Sequence, residues 1–335
     1  MLKVITDEKQ IGQCARRFTA AFKACADEKI SVKLGHQGAS VPARVWWSKR
    51  LGLWFFSRSV KGVRFENAFG LARPEAKSQL PIAAEINFPA AGIDRRTGGA
   101  FARDALGQIY AVHRGIIGGG RKGVGKALFE KHYRGVWSFM EDKDGLSRVA
   151  VIGLLSSVRF ARQVSVFVRK VERLKAAAES SSQTRFDFPQ AGFRPELSGD
   201  EPEDLSDALA RLCDRDLVTQ QLAAWLIRGK SAIGNTAGND LTILNAEGDG
   251  ESHVFAVVTD IHKQAVMAAA ADLLIRQAAT PGSPVAVLVL PEQAALLYEN
   301  RLQSIHVRIL SYRLDGEKVI FPDSAKIRLD QNTQL

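Results

Sequence analysis

The chain has 335 residues, 46% hydrophobic and 24% charged, with 28 Gly and 11 Pro. That composition excludes a wholly disordered chain, a collagen-like chain and a coiled-coil rod, and the length suits two domains. The formal net charge of +10 divides unevenly: residues 1–180 carry 32 Lys+Arg against 15 Asp+Glu, or +17, and residues 181–335 carry 14 against 21, or −7. A basic half joined to an acidic half suggests that one half meets a polyanion while the other does something else.

No stretch approaches the roughly 20 apolar residues of a spanning helix, and the opening MLKVITDEKQ turns polar at once, so no membrane association and a cytoplasmic location are expected. Cys14, Cys25 and Cys213 are too few and too scattered for a disulfide framework or a zinc site, and the six histidines show no ligand spacing. Neither a resident metal nor a cofactor is therefore expected.

Taken in chain order, residues 6–28 predict an amphipathic helix. Thr6 is its expected cap, and Ile11, Cys14, Phe18, Phe22 and Cys25 recur at helical spacing. KISVKL, PARVWWSKR and LGLWFFSRSV read as strands. Trp46, Trp47 and Trp54 alternate there with Arg44, Lys49, Arg50 and Arg58, either as a base-stacking surface or as a small β core with a charged outer face; alternation favours core for one of each neighbouring pair. AFARD with IYAVHR, and VWSFM with SRVAVIGLL, read as hairpins. A helix over 157–178 follows, with Val164, Phe167, Val168, Val171 and Leu174 on one side and Arg162, Arg169, Lys170 and Arg173 off it.

Residues 1–178 thus predict a basic mixed α+β domain, with a subdivision near 82. Residues 179–204, rich in Ser, Pro, Gly and acids, read as a linker. Residues 205–335 predict an α/β domain: helix 217–228, strands LTIL and HVFAVV, helix 262–279, strand PVAVLVL, helix 293–301, and the closing strands IHVRILSY and EKVIFP.

The segment from His113 to Lys126 holds six glycines and four cations. Glycines let backbone N–H groups approach an anion, and cations supply the attraction. From 95 to 134 there are nine Lys+Arg and two acids, the footprint of phosphate-backbone contacts. The expected nucleic-acid contacts are Arg95, Arg96, Arg114, Gly119, Gly120, Arg121, Lys122, Lys126 and Arg134. The loop also nearly matches a nucleotide-binding P-loop through Gly120, Gly125 and Lys126, but position 127 is Ala, which lacks the hydroxyl that holds Mg²⁺; Asp260 is the best partner carboxylate for such a site.

The second domain carries a resemblance. GNDLTIL, HVFAVVTDIHKQAVMAAAADLL and VAVLVLPE resemble the core of PD-(D/E)xK nucleases of the restriction-endonuclease type over roughly 215–321. Relatives in that family read F-E-V-K-T-D followed by a helix with G-Q-L. The resemblance implies a three-layer α/β/α restriction-endonuclease-like fold, with two acids holding Mg²⁺ and a Lys positioning the attacking water. Here Asp240 keeps the first acid, but Ala256 stands at the second acid, Val258 at the lysine and Asp272 at the glutamine. The resemblance therefore implies the fold and argues against the activity; a nuclease with relocated ligands would draw on Asp240, Asp249, Glu251 and Asp260 and would take Mg²⁺. Residues 83–175, through EINFPAAGIDRRTGGAFARD and VHRGIIGGGRKGVGKALF, also look like a module that precedes nuclease domains in bacterial restriction or phage-defence proteins. The expectation is a cytoplasmic, sequence-tolerant binder of double-stranded DNA. Its pseudo-nuclease domain would serve a homodimer or a defence-system partner. The alternatives are the rearranged endonuclease and a nucleotide-binding regulator.

Overall fold

The computed structural model describes residues 1–36, 39–117, 124–181, 204–229, 231–235, 241–245 and 250–322. The chain is a mixed α+β protein with several sheets and, among the described residues, six helices. It forms two compact units, Met1–Leu212 and Cys213–Leu335. In the first unit the order is β1 (Leu2–Val4), α1 (Glu8–Lys23), β2 (Glu28–His36), β3 (Ala39–Ser48), β4 (Leu53–Val60), β5 (Arg64–Gly70), β6 (Gln79–Leu80), β7 (Ala84–Glu85) and β8 (Phe88–Pro89). There follow β9 (Gly99–Arg103), β10 (Ile109–His113), α2 (Lys126–His132), β11 (Trp137–Asp142), β12 (Gly145–Leu154) and α3 (Phe160–Ser181).

Two sheets organise this unit. Strands β1, β11, β12, β10 and β9 close into a five-stranded barrel, β1 running parallel to β11 and antiparallel to β9. Leu2, Ala100, Ala102, Tyr110, Val112, Met140, Val149 and Val151, drawn from all five strands, fill it with side chains. The other sheet runs β6-β2-β3-β4-β5-β7, with β8 on β5. Helices α1 and α3 lie between the two. Phe18 and Phe22 of α1 and Phe160 and Phe167 of α3 share one core with Phe101, Ala111 and Ile152 of the barrel and Leu53, Phe55 and Phe69 of the sheet.

Local chemistry explains the helix ends. Asp7 rather than Thr6 caps α1, its carboxylate accepting from Gln10 N at 2.8 Å, and Glu8 sits in the first turn, where the helix dipole favours an acid. The helix ends at Lys23, short of the expected 28, so Cys14 is buried but Cys25 is half-buried and meets the Arg50 guanidinium. Helix α3 is buried nearly all round over its first two turns, and Arg162, expected off the apolar side, is buried too. Further along, the cations bind backbone across the core: Arg169 donates to Leu51 O at 2.9 Å and to Ser165 Oγ at 3.0 Å, and Lys175 donates to Ala83 O at 2.7 Å. These charges fasten α3 to the sheet, because a buried cation must find acceptors.

Helix α4 (Leu205–Arg228) starts twelve residues before the expected 217, and its Leu205 and Leu209 pack with the barrel interior. Its later residues belong to the second unit, which continues through β13 (Ile233–Asn235), β14 (Leu241–Leu244), β15 (Glu251–Val257), α5 (Lys263–Ala279), β16 (Val285–Pro291), α6 (Glu292–Gln303), β17 (Arg308–Asp315) and β18 (Lys318–Ile320). The sheet keeps chain order, β13 to β18. The pair β15–β16 and the pair β16–β17 are parallel, and the flanking pairs are antiparallel. Alternation assigns its faces. Phe255, Val257, Val287 and Val289 pack with Leu217, Val218, Leu222 and Leu226 of α4, whereas Val254, Ala256, Ala286, Leu288 and Leu290 pack with Val266, Ala270 and Leu273 of α5 and with Ala294 and Leu302 of α6. Central strands covered on both faces read as continuous apolar runs, and VAVLVLP is one.

Candidate nucleic-acid interface

Three of the expected phosphate contacts, Arg95, Arg96 and Arg114, come together where β9 begins and β10 ends. Arg95 and Arg96 lie on the segment leading into β9, Arg114 follows β10, and Lys126 opens α2. Gly119, Gly120, Arg121 and Lys122 lie outside the described residues, as does Asp240.

The segment before β9 is shaped by Asp94. Its carboxylate accepts from Arg96 N at 2.9 Å and its carbonyl from Thr97 Oγ1 at 2.7 Å, leaving the Arg96 side chain exposed. Arg95 turns the other way. Its guanidinium bonds the buried Asp142 carboxylate at 3.1 and 3.3 Å and pairs with Asp144 at 3.2 Å. It therefore ties the β9 approach to the turn between β11 and β12, a partnership that the local sequence does not announce.

Arg114 is fixed through its backbone, its N–H donating to Gly98 O at 2.7 Å. Both terminal nitrogens of its guanidinium are shielded from solvent and, among the described residues, meet no acceptor. Burial lowers its pKa, the Asp142 charge opposes that, and the Arg95 charge adds to it. Arg114 is thus a half-buried cation whose guanidinium tip is turned into the wall of the site.

The wall beneath is aromatic. His113 is fully buried, and burial pushes its pKa down to about 4, so the ring is neutral near pH 7. Its Nδ1 accepts from Gly115 N at 3.1 Å, which puts the proton on Nε2, beside the Glu85 backbone in a geometry short of a full hydrogen bond. Phe129 of α2 and Tyr133, which caps its C-terminus, stack at 4.5 Å and are buried, with the half-buried Trp137 at their edges. Two glycines make room. A Cβ on Gly98 would stand 2.5 Å from His113 Nε2, and one on Gly115, whose φ is +84°, would stand 2.7 Å from the Phe129 ring.

With Phe129 and Tyr133 buried, Lys126 and Lys131 of α2 and Arg134 just beyond it are exposed. Lys126 pairs with Glu130 at 3.5 Å, an exposed contact worth little, and Arg134 donates to Lys131 O. Arg148, also exposed, lies 4.2 Å over the Trp137 ring.

The tryptophans of the other sheet sort as alternation requires. Trp47 and Trp54 are buried among Val32, Leu34 and Val45, so they offer no stacking surface. Trp46 is half-buried and lies parallel to Phe55 at 6.4 Å.

In the second unit, Ala256 and Val258 sit in the apolar layer under α5 and α6, at 6% and 9% exposure. Neither side chain carries a donor atom, and the surrounding Val254, Leu288 and Leu290 supply none. Of the relocated-ligand set, Asp240 and Asp249 lie outside the described residues; Glu251 opens β15, and Asp260 is bonded to His262 at the start of α5. Asp272 is exposed on α5. Among the described residues no cluster of three or more His, Cys, Asp or Glu is placed to hold a metal ion. No helix among them is long and apolar enough to cross a membrane.

Compared with protein-family models, with curated proteins and with solved structures, the chain matches none.

Proposed function

We propose that the protein is a sequence-tolerant binder of double-stranded DNA, of bacterial restriction or phage-defence type. In this reading the first unit grips the duplex, and the second is a restriction-endonuclease-like domain that lacks its catalytic set and serves assembly or partner recruitment. The observation that carries the first half is that Arg96, Lys126, Lys131 and Arg134, on the segments that flank β9, β10 and β11, are all exposed, within a half of the chain that carries +17. Phosphate contacts give affinity without reading base sequence, hence the expected tolerance. Supporting the second half is the order helix, three antiparallel strands, helix, parallel strand over α4 to β16, together with Ala256 and Val258 at the acid and lysine positions.

The test is duplex binding by fluorescence anisotropy on several unrelated sequences, with plasmid cleavage assayed in Mg²⁺ and Mn²⁺. The reading expects similar affinity for every duplex and no cleavage. It also expects R96A/K131A/R134A to weaken binding uniformly. Strong preference for one sequence would remove the tolerance, and cleavage lost in D240A would replace the reading with the rearranged nuclease.

A further inference from the structure

We infer that the β2–β3 strand pair carries a second binding surface for the sugar-phosphate backbone of a nucleic-acid duplex, separate from the end of the barrel that bears Arg96. It rests on the reading of the first unit as a duplex binder and adds a second place of contact. In the register of this pair, Lys29 stands opposite Trp46, Ser31 opposite Arg44 and Lys33 opposite Pro42. Directly opposed residues share a face, so Lys29, Arg44 and Lys33 form a zigzag row on one side of the sheet. All three are exposed, and Lys23 at the end of α1 joins them, its ammonium 5.9 Å from the Trp46 ring. None of the four pairs with a carboxylate among the described residues. The neighbouring acids are engaged elsewhere: Glu28 points to the opposite face and pairs with Arg73, and Asp27 accepts from Lys49 N.

The rest of this face is closed. Phe55 and Phe69 are covered by Phe22 of α1, so the row lies on the part of the sheet that extends past the helix. Between Lys29 and Lys33, four residues of extended chain span roughly 13 Å, the rise of about four base pairs of duplex. Trp46 decides what is bound there. One side of its ring lies along Phe55, and the Lys29 ammonium sits 4.5 Å from its centroid, so no open face remains to stack a base. The aromatic instead orients Lys29, and the charged groups that the row presents are cations. Serine at 31 and glutamine at 79, the latter exposed and paired in register with Lys33, add uncharged donors suited to phosphate oxygens.

The experiment compares three proteins: wild type, the sheet variant K29A/K33A/R44A and the barrel variant R96A/K131A/R134A. Each is titrated against a 20-base-pair duplex, and against the matching single strand, over a salt series. The replaced side chains are exposed, so melting temperatures should match that of wild type. The inference expects the sheet variant to lose at least about tenfold in duplex affinity and to lower the steepness of log K against log salt by roughly 2.7, the value for three phosphate contacts. An unchanged affinity and slope in the sheet variant, while the barrel variant weakens, overturns the second surface and leaves the function standing. Weakening in the sheet variant alone keeps this surface and removes the barrel site. A wild type that binds no duplex overturns both, and a sheet variant that loses only single-strand binding overturns the duplex assignment.

Discussion

Replacing Asp142 by Asn should weaken the fold and strengthen DNA binding at once. The Asp142 side chain is 1% exposed, whereas that of its partner Arg95 is 57% exposed. Breaking a fully buried ion pair costs about 3–5 kcal/mol, but Arg95 can rehydrate through its exposed side, which takes back part of that cost. The Asn oxygen can still accept from Asp144 N, now 3.0 Å from Oδ1, while its NH₂ would face the Arg95 donors. Arg114 would also lose the opposing charge that offsets its burial. The net cost is about 2 kcal/mol, which for a unit of this size lowers Tm by roughly 4–8 °C. Urea denaturation followed by tryptophan fluorescence measures it. The released Arg95 should add about one unit to the salt slope of duplex binding. A stability within about 0.5 kcal/mol of wild type would show that the Asp142–Arg95 tie holds nothing together.

Other consequences can be measured directly. Gly115→Ala forces a side chain to φ +84° and against Phe129, and should destabilise by about 2–4 kcal/mol; a neutral result in urea titration would contradict the packing of α2. His113 has a folded pKa of about 4 against an ordinary 6.5, so the unfolded chain binds the extra proton between these values. Its contribution is full above pH 6.5 and is lost as pH falls toward 4, by roughly 3 kcal/mol, and H113Q should flatten the stability profile in that window. The double variant A256E/V258K writes the acid-x-Lys tripeptide into an apolar layer. It should cost more than about 3 kcal/mol and yield no Mg²⁺-dependent cleavage, whereas an undiminished Tm with cleavage would place a working site there.

Much of the local structure is legible in the sequence because it rests on short-range pattern. The alternation in AFARD, IYAVHR and SRVAVIGLL, with Gly in the turns, gives β9–β10 and β11–β12 as hairpins, and the structure pairs them so. What closes them into a barrel is Leu2–Val4, three residues too short to read as a strand, placed by parallel pairing with Met140 and Glu141 far along the chain. The first turns of α4 stayed hidden because Arg211, Asp214, Arg215 and Asp216 dilute the apolar spacing of Leu209, Cys213 and Leu217. Asp7 competed with Thr6 for the cap, and the carboxylate prevailed.

The candidate site was legible in its charge and not in its partnerships. Cation density around 95–134 marks the region, but Arg95 meets its acid 47 residues away, so only the fold reveals that it is a tie. Arg114 reads as one more surface cation, but its place at the end of β10 leaves it half-buried with its guanidinium tip shielded. The alternation of Lys29, Ser31 and Lys33 with Ile30, Val32 and Leu34 is plain in KISVKL, but that Arg44 completes the row depends on the register with β3.

In the proposed function the first unit holds a duplex through its phosphates. Binding of one unmodified duplex between about 50 and 200 mM salt tests it most directly. Six or more phosphate contacts predict a loss of roughly a thousandfold in affinity across that range, with a slope of log K on log salt near −5 or steeper. An affinity that barely changes over the same range, or no saturable binding at its low end, would contradict the account.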